Sequence, residues 1–273
     1  MTFTTLLVYV DASAAGAARV ETACDLAKTF DAHLIGVSAS MGPPPMVDPL
    51  SAGAGVLAAY REVAEEEIQD ARNTFEAAVQ ARSAKSEWRG GVDWPVDLVV
   101  RSARAADLVI IGPRTDFTPY RTPDPASVVE AIGRPVLLIL DAPARSPLEG
   151  PTVVGWKNTR EAQRAVAASL PLLRRAPAVS VIEVAAEGCE QQAAAGLADV
   201  RTFLGRHGIE ASTQVLTKGG QTTSSRILAH AESLNAGLIV AGGYGHARLQ
   251  QWILGGVTNT LLKHSPVSVL LTH

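Results

Sequence analysis

The chain has 273 residues, 47% hydrophobic, 19% charged and 5% aromatic, and its 24 Lys and Arg against 27 Asp and Glu give a formal net charge of −3. This composition supplies packed cores for one large or two ordinary domains and excludes a disordered chain. A weakly acidic chain lacks the basic face that phosphate neutralisation needs, and so few aromatics build no stacking platform, so nucleic acid is excluded as a partner.

The N-terminal MTFTTLLVYVDAS carries no basic leader, and no apolar run reaches the ~18 residues needed to span a bilayer. The expectation is a cytoplasmic protein with no membrane partner. Thr4 to Val10 reads as an apolar strand, followed by Asp11-Ala12-Ser13 and a helix through Phe30 that places Val20, Ala23, Cys24 and Ala27 on one stripe. His33 to Ser38 is a second strand. Met41 to Gly55 reads as a loop with a short polyproline turn. A long helix from Val56 to Arg82 is expected to bury Leu57, Tyr60, Val63, Ala64, Ala71, Phe75 and Ala78, with Glu65-Glu66-Glu67 mostly facing solvent. A more polar strand follows at Lys85 to Arg89, then a short helix at Pro95 to Ala105 and a fourth, apolar strand at Ala106 to Gly112. Arg114 and Arg121 read as exposed loop arginines without partners, the competing reading being that they attract an anion. Asp124-Pro125 has the form of a helix N-cap with proline in the first turn. Pro135 to Leu140 is a fifth strand, and Asp141 to Pro151 is a Pro- and Gly-bearing linker.

The same order then repeats. Thr152 to Trp156 is a strand, followed by Lys157-Asn158-Thr159 and a helix through Arg174 with Ala162, Ala165, Val166, Ser169 and Leu173 on its stripe. Strands at Val179 to Val184 and Glu210 to Thr217 flank a helix at Glu190 to Arg206. A helix at Thr222 to Leu234 precedes the apolar strand Ala236 to Gly242, which matches Ala106 to Gly112, and the last strand is Val267 to Thr272. Five strands alternating with helices, twice, predict an α/β fold of two tandem open five-stranded parallel α/β sandwich domains, 1–141 and 151–273. Cys24 and Cys189 lie in different halves and form no C-x-x-C pair, so both read as small buried residues. The six histidines show no metal-ligand spacing, and no metal is expected.

In such sheets ligands bind beyond the carboxyl ends of the strands, where strand order reverses. After the fourth strand of the second half comes Gly242-Gly243-Tyr244-Gly245, and nine residues further Gly255-Gly256-Val257-Thr258 opens a helix. Glycines let the backbone approach a ligand, and free N–H groups at a helix start favour an anion. A plain turn needing glycine for geometry alone is the competing reading. Thr217 to Thr223, which faintly resembles a phosphate loop, lacks its lysine spacing and reads as a turn and N-cap.

G-x-x-G, nine residues, then G followed by Ser or Thr is the nucleotide signature of universal stress proteins. The chain resembles that family at Gly242, Gly245 and Gly255, and in the apolar spacing of Val257, Leu261, Val267, Val269 and Leu270. The resemblance covers the chain as two copies of the family's domain, specific in the last forty residues and loose in the first half. It implies an adenine nucleotide alpha hydrolase-like fold and a cofactor that is ATP or another adenine nucleotide, with magnesium as a candidate ion. In the family the glycine loop cradles the phosphates and ribose, and an Asp after the first strand meets the adenosine end. Carried onto this chain, Gly242, Gly245, Gly255, Gly256 and Val257 supply backbone contacts and Ala241 borders the ribose. Gly256 stands where the family has Ser or Thr, so Thr258 is the nearest hydroxyl. Lys157 stands in place of the Asp; it cannot accept from a ribose hydroxyl but can hold phosphate as a point charge. The first half keeps Asp11 but only Gly112 of the three glycines, and Pro113 removes an N–H where donors are wanted.

The resemblance therefore implies a stress-response module with a nucleotide site in its C-terminal half. Family members pair through their fifth strands, which implies an internal pseudo-dimer, with a homodimer and protein partners as further states. The alternative is a nucleotide-independent interaction or scaffold protein with degenerate sites. No G-x-S-x-G, H-I-G-H or S-G-G-x-D-S signature occurs and no carboxylates pair beside the glycine loop. No catalytic residue is expected, with slow ATP hydrolysis left open.

Overall fold

The computed structural model describes residues 2–42, 54–113, 118–140, 146–243 and 256–273. They fall into two compact units, Thr2–Arg134 and Pro135–His273. The first unit runs β1 (Thr5–Tyr9), α1 (Ala14–Phe30), β2 (His33–Ala39), α2 (Ala54–Arg82), β3 (Ser86–Gly91), α3 (Pro95–Ser102), β4 (Leu108–Ile111) and α4 (Pro125–Ala131). Its strands are parallel in the order β3-β2-β1-β4. Leu6, Leu7 and Val8 of β1 and Leu108, Val109 and Ile110 of β4 have no exposed surface, which is why these strands are continuous apolar runs. Right-handed crossovers put α1 and α2 together on one face and α3 and α4 on the other, and these are the helix pairs that touch. Ser13 caps α1 by accepting from the Gly16 N–H, and Asp124 caps α4 by accepting from the Ser127 N–H, with Pro125 in the first turn.

The expected stripes on α1 are buried, but α2 departs from its pattern. Ala64, Ala71 and Phe75 are buried, whereas Leu57 is 50% and Val63 37% exposed, and Tyr60 and Ala78 are half-buried. Length is the cause. The 29 residues of α2 rise about 44 Å, while the seven of β2 span about 23 Å. The helix starts beyond the carboxyl end of its strand, so its first turns have no sheet to cover. Where α2 does reach the sheet, Phe75 packs on Trp88 with ring centroids 5.4 Å apart.

The second unit runs β5 (Val136–Leu138), β6 (Thr152–Gly155), α5 (Arg160–Leu173), β7 (Val179–Ala185), α6 (Glu190–Arg206), β8 (Ala211–Thr217), α7 (Thr223–Ser233), β9 (Leu238–Gly242), α8 (Gly256–His264) and β10 (Ser268–Thr272). Its strand order is β5-β10-β9-β6-β7-β8. All pairs are parallel except β5 with β10, which run antiparallel with Leu137 opposite Leu270. The strand that ends the first sequence repeat thus packs in the second unit and turns a parallel sheet into a mostly parallel one. Ala162, Ala165, Val166, Ser169 and Leu173 form the buried side of α5 as their spacing predicts. Cys24 is buried, but Cys189 is exposed, contrary to expectation, because it is the N-cap of α6 and lies before the helix's packed face begins.

Candidate functional site

In the second unit the chain passes from β6 outward to β7 and β8 and returns to β9 on the other side, so strand order reverses between β6 and β9. Ala241 lies opposite Gly155 in that pair, and Gly242 lies opposite Thr272 of β10. Lys157 follows β6, and Gly256, Val257 and Thr258 form the first turn of α8. Gly245 and Gly255 lie outside the described residues.

Gly242 is set by packing. A Cβ there would stand 2.5 Å from the Ala162 nitrogen and 2.7 Å from the Glu161 carbonyl carbon, so the first turn of α5 rests directly on the end of β9. Two residues that sequence reasoning missed hold this junction. The Thr272 hydroxyl donates to the Glu161 carbonyl at 3.0 Å, and the Thr272 carbonyl accepts from the Gly243 N–H at 2.7 Å. The start of the glycine loop is therefore tied to β10 and α5 together. Glu161 is only 6% exposed. Burial pushes its carboxyl up, but its own backbone N–H, the Thr159 hydroxyl and Arg160 outweigh that and hold it below the ordinary carboxylate value. The junction uses the main-chain carbonyl of Glu161, which any residue would supply, so no local sequence signal marks it.

Gly256 is the opposite case: among the described residues nothing lies within 4 Å of its Cβ position. The family's Ser or Thr would fit there, so the departure is not forced by space. Thr258 is 3% exposed and sits on the buried side of α8, while Gly256 is exposed and Val257 half-buried. Lys157 is exposed, and its charge acts on Glu183 of β7. Burial raises the Glu183 carboxyl above its ordinary value and Lys157 draws it back in part. Ala241 is 4% exposed.

The corresponding edge of the first unit is filled by the chain itself. Arg19 of α1 is 5% exposed, and its Nη1 donates to the Asp11 carboxylate at 3.0 Å and to the Tyr9 carbonyl at 3.1 Å. The other Asp11 oxygen accepts from the Ser13 N–H at 3.1 Å and from the Ser13 hydroxyl. A Cβ on Gly112 would run into the Arg19 guanidinium. Asp11 is thus committed to its own chain. One expectation on this edge is narrowed and another corrected. Glu65 and Glu66 are exposed, but Glu67 is only half-exposed and Arg121 is not partnerless, for the two form an ion pair brought together by the fold across 54 residues of sequence. Arg114 lies outside the described residues.

Among the described residues no group of three or more His, Cys, Asp or Glu is placed to hold a metal ion, and no helix is long and apolar enough to cross a membrane. The architecture is that of an open α/β protein whose strand order reverses once in each half. The model of the universal stress protein family matches residues 2–118 and 151–273, and the chain belongs to that family. A universal stress protein from Archaeoglobus fulgidus DSM 4304 is similar over 98% of this chain and 95% of its own, with 19% identity and a TM-score of 0.73. A putative universal stress protein from Pseudomonas aeruginosa UCBPP-PA14 is similar over 99% of this chain and 93% of its own, with 16% identity and a TM-score of 0.61. A functionally unknown protein from Pseudomonas aeruginosa PAO1 is similar over 99% of this chain and 92% of its own, with 16% identity and a TM-score of 0.60. At these identities the likeness shows the fold. No curated protein matches the chain.

Proposed function

We propose that this universal stress protein binds an adenine nucleotide of the ATP type in its second half and serves as a cytosolic stress-response module, with no catalytic residue assigned. One observation carries the reading: β9, one of the two strands at the strand-order reversal, ends at Gly242, where the 242, 245, 255 glycine spacing begins. Ala241 and Gly242 border the ribose. Gly245, Gly255, Gly256, Val257 and Thr258 offer backbone to the phosphates, with any magnesium arriving on those phosphates. Lys157 adds a cation whose charge is shared with Glu183.

The test is a thermal-shift titration with ATP, ADP, AMP and cyclic AMP, with and without magnesium, on the wild type and on Gly256→Glu. The Cβ position of residue 256 meets none of the described residues, so the substitution is expected to leave their packing intact, while its carboxylate repels phosphate at the helix start. A nucleotide at about a hundred times its Kd adds about 2.7 kcal/mol to the wild type, and the variant loses that gain at the same concentration. Equal shifts in both proteins would place the nucleotide elsewhere.

A second reading, a nucleotide-independent interaction or scaffold protein, is favoured by the packing at Gly242, which accounts for that glycine without any ligand. A wild type whose melting temperature ignores all four nucleotides supports it.

A further inference from the structure

Beyond the Arg19 contact, a second piece of chain lies on the carboxyl edge of the first unit. Residues 118–122 form a turn in which the Arg121 and Thr122 N–H groups donate to the Thr118 carbonyl at 2.9 and 3.0 Å. This turn is fastened to the ends of β1 and β2. The Met41 N–H donates to the Tyr120 carbonyl at 3.0 Å. The Tyr9 hydroxyl lies 2.5 Å from the Arg121 carbonyl and 2.9 Å from that of Ala39. The Arg121 guanidinium pairs with one oxygen of Glu67 on α2, and the other oxygen accepts from the Ser40 hydroxyl at 2.7 Å. Tyr9 and Ser40, 1% and 3% exposed, lie beneath it. Burial also holds the Tyr9 hydroxyl far above its usual titration range, so it stays a proton donor.

We infer that residues 118–122 are a strap, latched by Arg121 to Glu67, which together with Arg19 covers with the chain's own groups the carboxyl edge of the first unit, where an open α/β sheet takes its ligand. Arg19 fills the space between the ends of β1 and β4, and the strap covers the ends of β1 and β2. Two guanidiniums, each neutralised by a carboxylate of the same unit, fasten the edge that a bound ligand would otherwise fasten. The latch is releasable. Its Arg121 and Glu67 side chains are 41% and 31% exposed, and ion pairs so exposed are weak. This device is independent of whether the second unit takes a nucleotide.

Hydrogen exchange on the full chain tests it in the wild type, in Arg121→Ala and in the charge swap Glu67→Arg with Arg121→Glu. Arg121→Ala is expected to speed exchange at the Met41 amide and through 118–122 by about three- to fivefold, with the amides of β1 and β2 unchanged. The swap is expected to restore protection. Should Arg121→Ala loosen the whole unit, Glu67→Gln keeps the shape and the Ser40 contact and is expected to loosen the strap alone. An unchanged Met41 amide in both single variants, or a swap that restores nothing, overturns the latch.

Discussion

Two glycines that look alike in the sequence do different things in the molecule. Gly242 is the point at which the first turn of α5 touches β9, and any Cβ there meets backbone. Gly256, at the start of α8, has none of the described residues within 4 Å of its Cβ position. Gly242→Ala is therefore expected to cost about 1–3 kcal/mol through overpacking. Gly256→Ala is expected to be neutral or up to about 1 kcal/mol stabilising, since alanine is the better helix former. Urea denaturation of the two variants checks this, and equal effects would refute the distinction. The spacing of the glycines was visible in the sequence. Which of them is structural was not, because that depends on where Ala162, 80 residues earlier, is brought by the fold. Arg121 shows the same limit: its partner Glu67 lies on another element, and no local pattern announces the pair.

At the scale of elements, periodicity placed strands and helices well, because apolar runs and 3.6-residue stripes are local properties. It failed where a helix outruns its sheet. Leu57 and Val63 continue the stripe of α2 into turns that have nothing to cover, whereas Phe75 on the same stripe lies between Trp88 and Gly36. Phe75→Ala is expected to destabilise by about 3–5 kcal/mol, and Leu57→Ser and Val63→Ser by no more than about 0.5 kcal/mol each. Chemical denaturation with a probe in the first unit separates the cases. A large loss in Leu57→Ser would mean that the overhanging turns of α2 bury their apolar face after all.

For the whole molecule, duplication in sequence does not mean duplication of the site. In the first unit Arg19 and the 118–122 strap hold the edge, Asp11 is spent on Arg19 and Ser13, and a single glycine remains after β4. In the second unit the first turn of α8 begins with an exposed, unobstructed glycine. If the nucleotide reading holds, native mass spectrometry or calorimetry is expected to find one nucleotide per chain. Two equivalents would show that the strap opens readily, and none would leave the scaffold reading.

Sequence by itself determined the family, the tandem α/β order, the strand and helix types and the place of the glycine motif, since each rests on local composition and spacing. The resemblance also implied that the fifth strands pair, but only the tertiary structure decided that β5 and β10 run antiparallel, that Gly242 is a packing glycine, and that Arg19 and the Glu67–Arg121 pair occupy the carboxyl edge of the first unit. Those outcomes depend on contacts between residues far apart in the chain, whose energies are set by shape and distance that no short window of sequence contains.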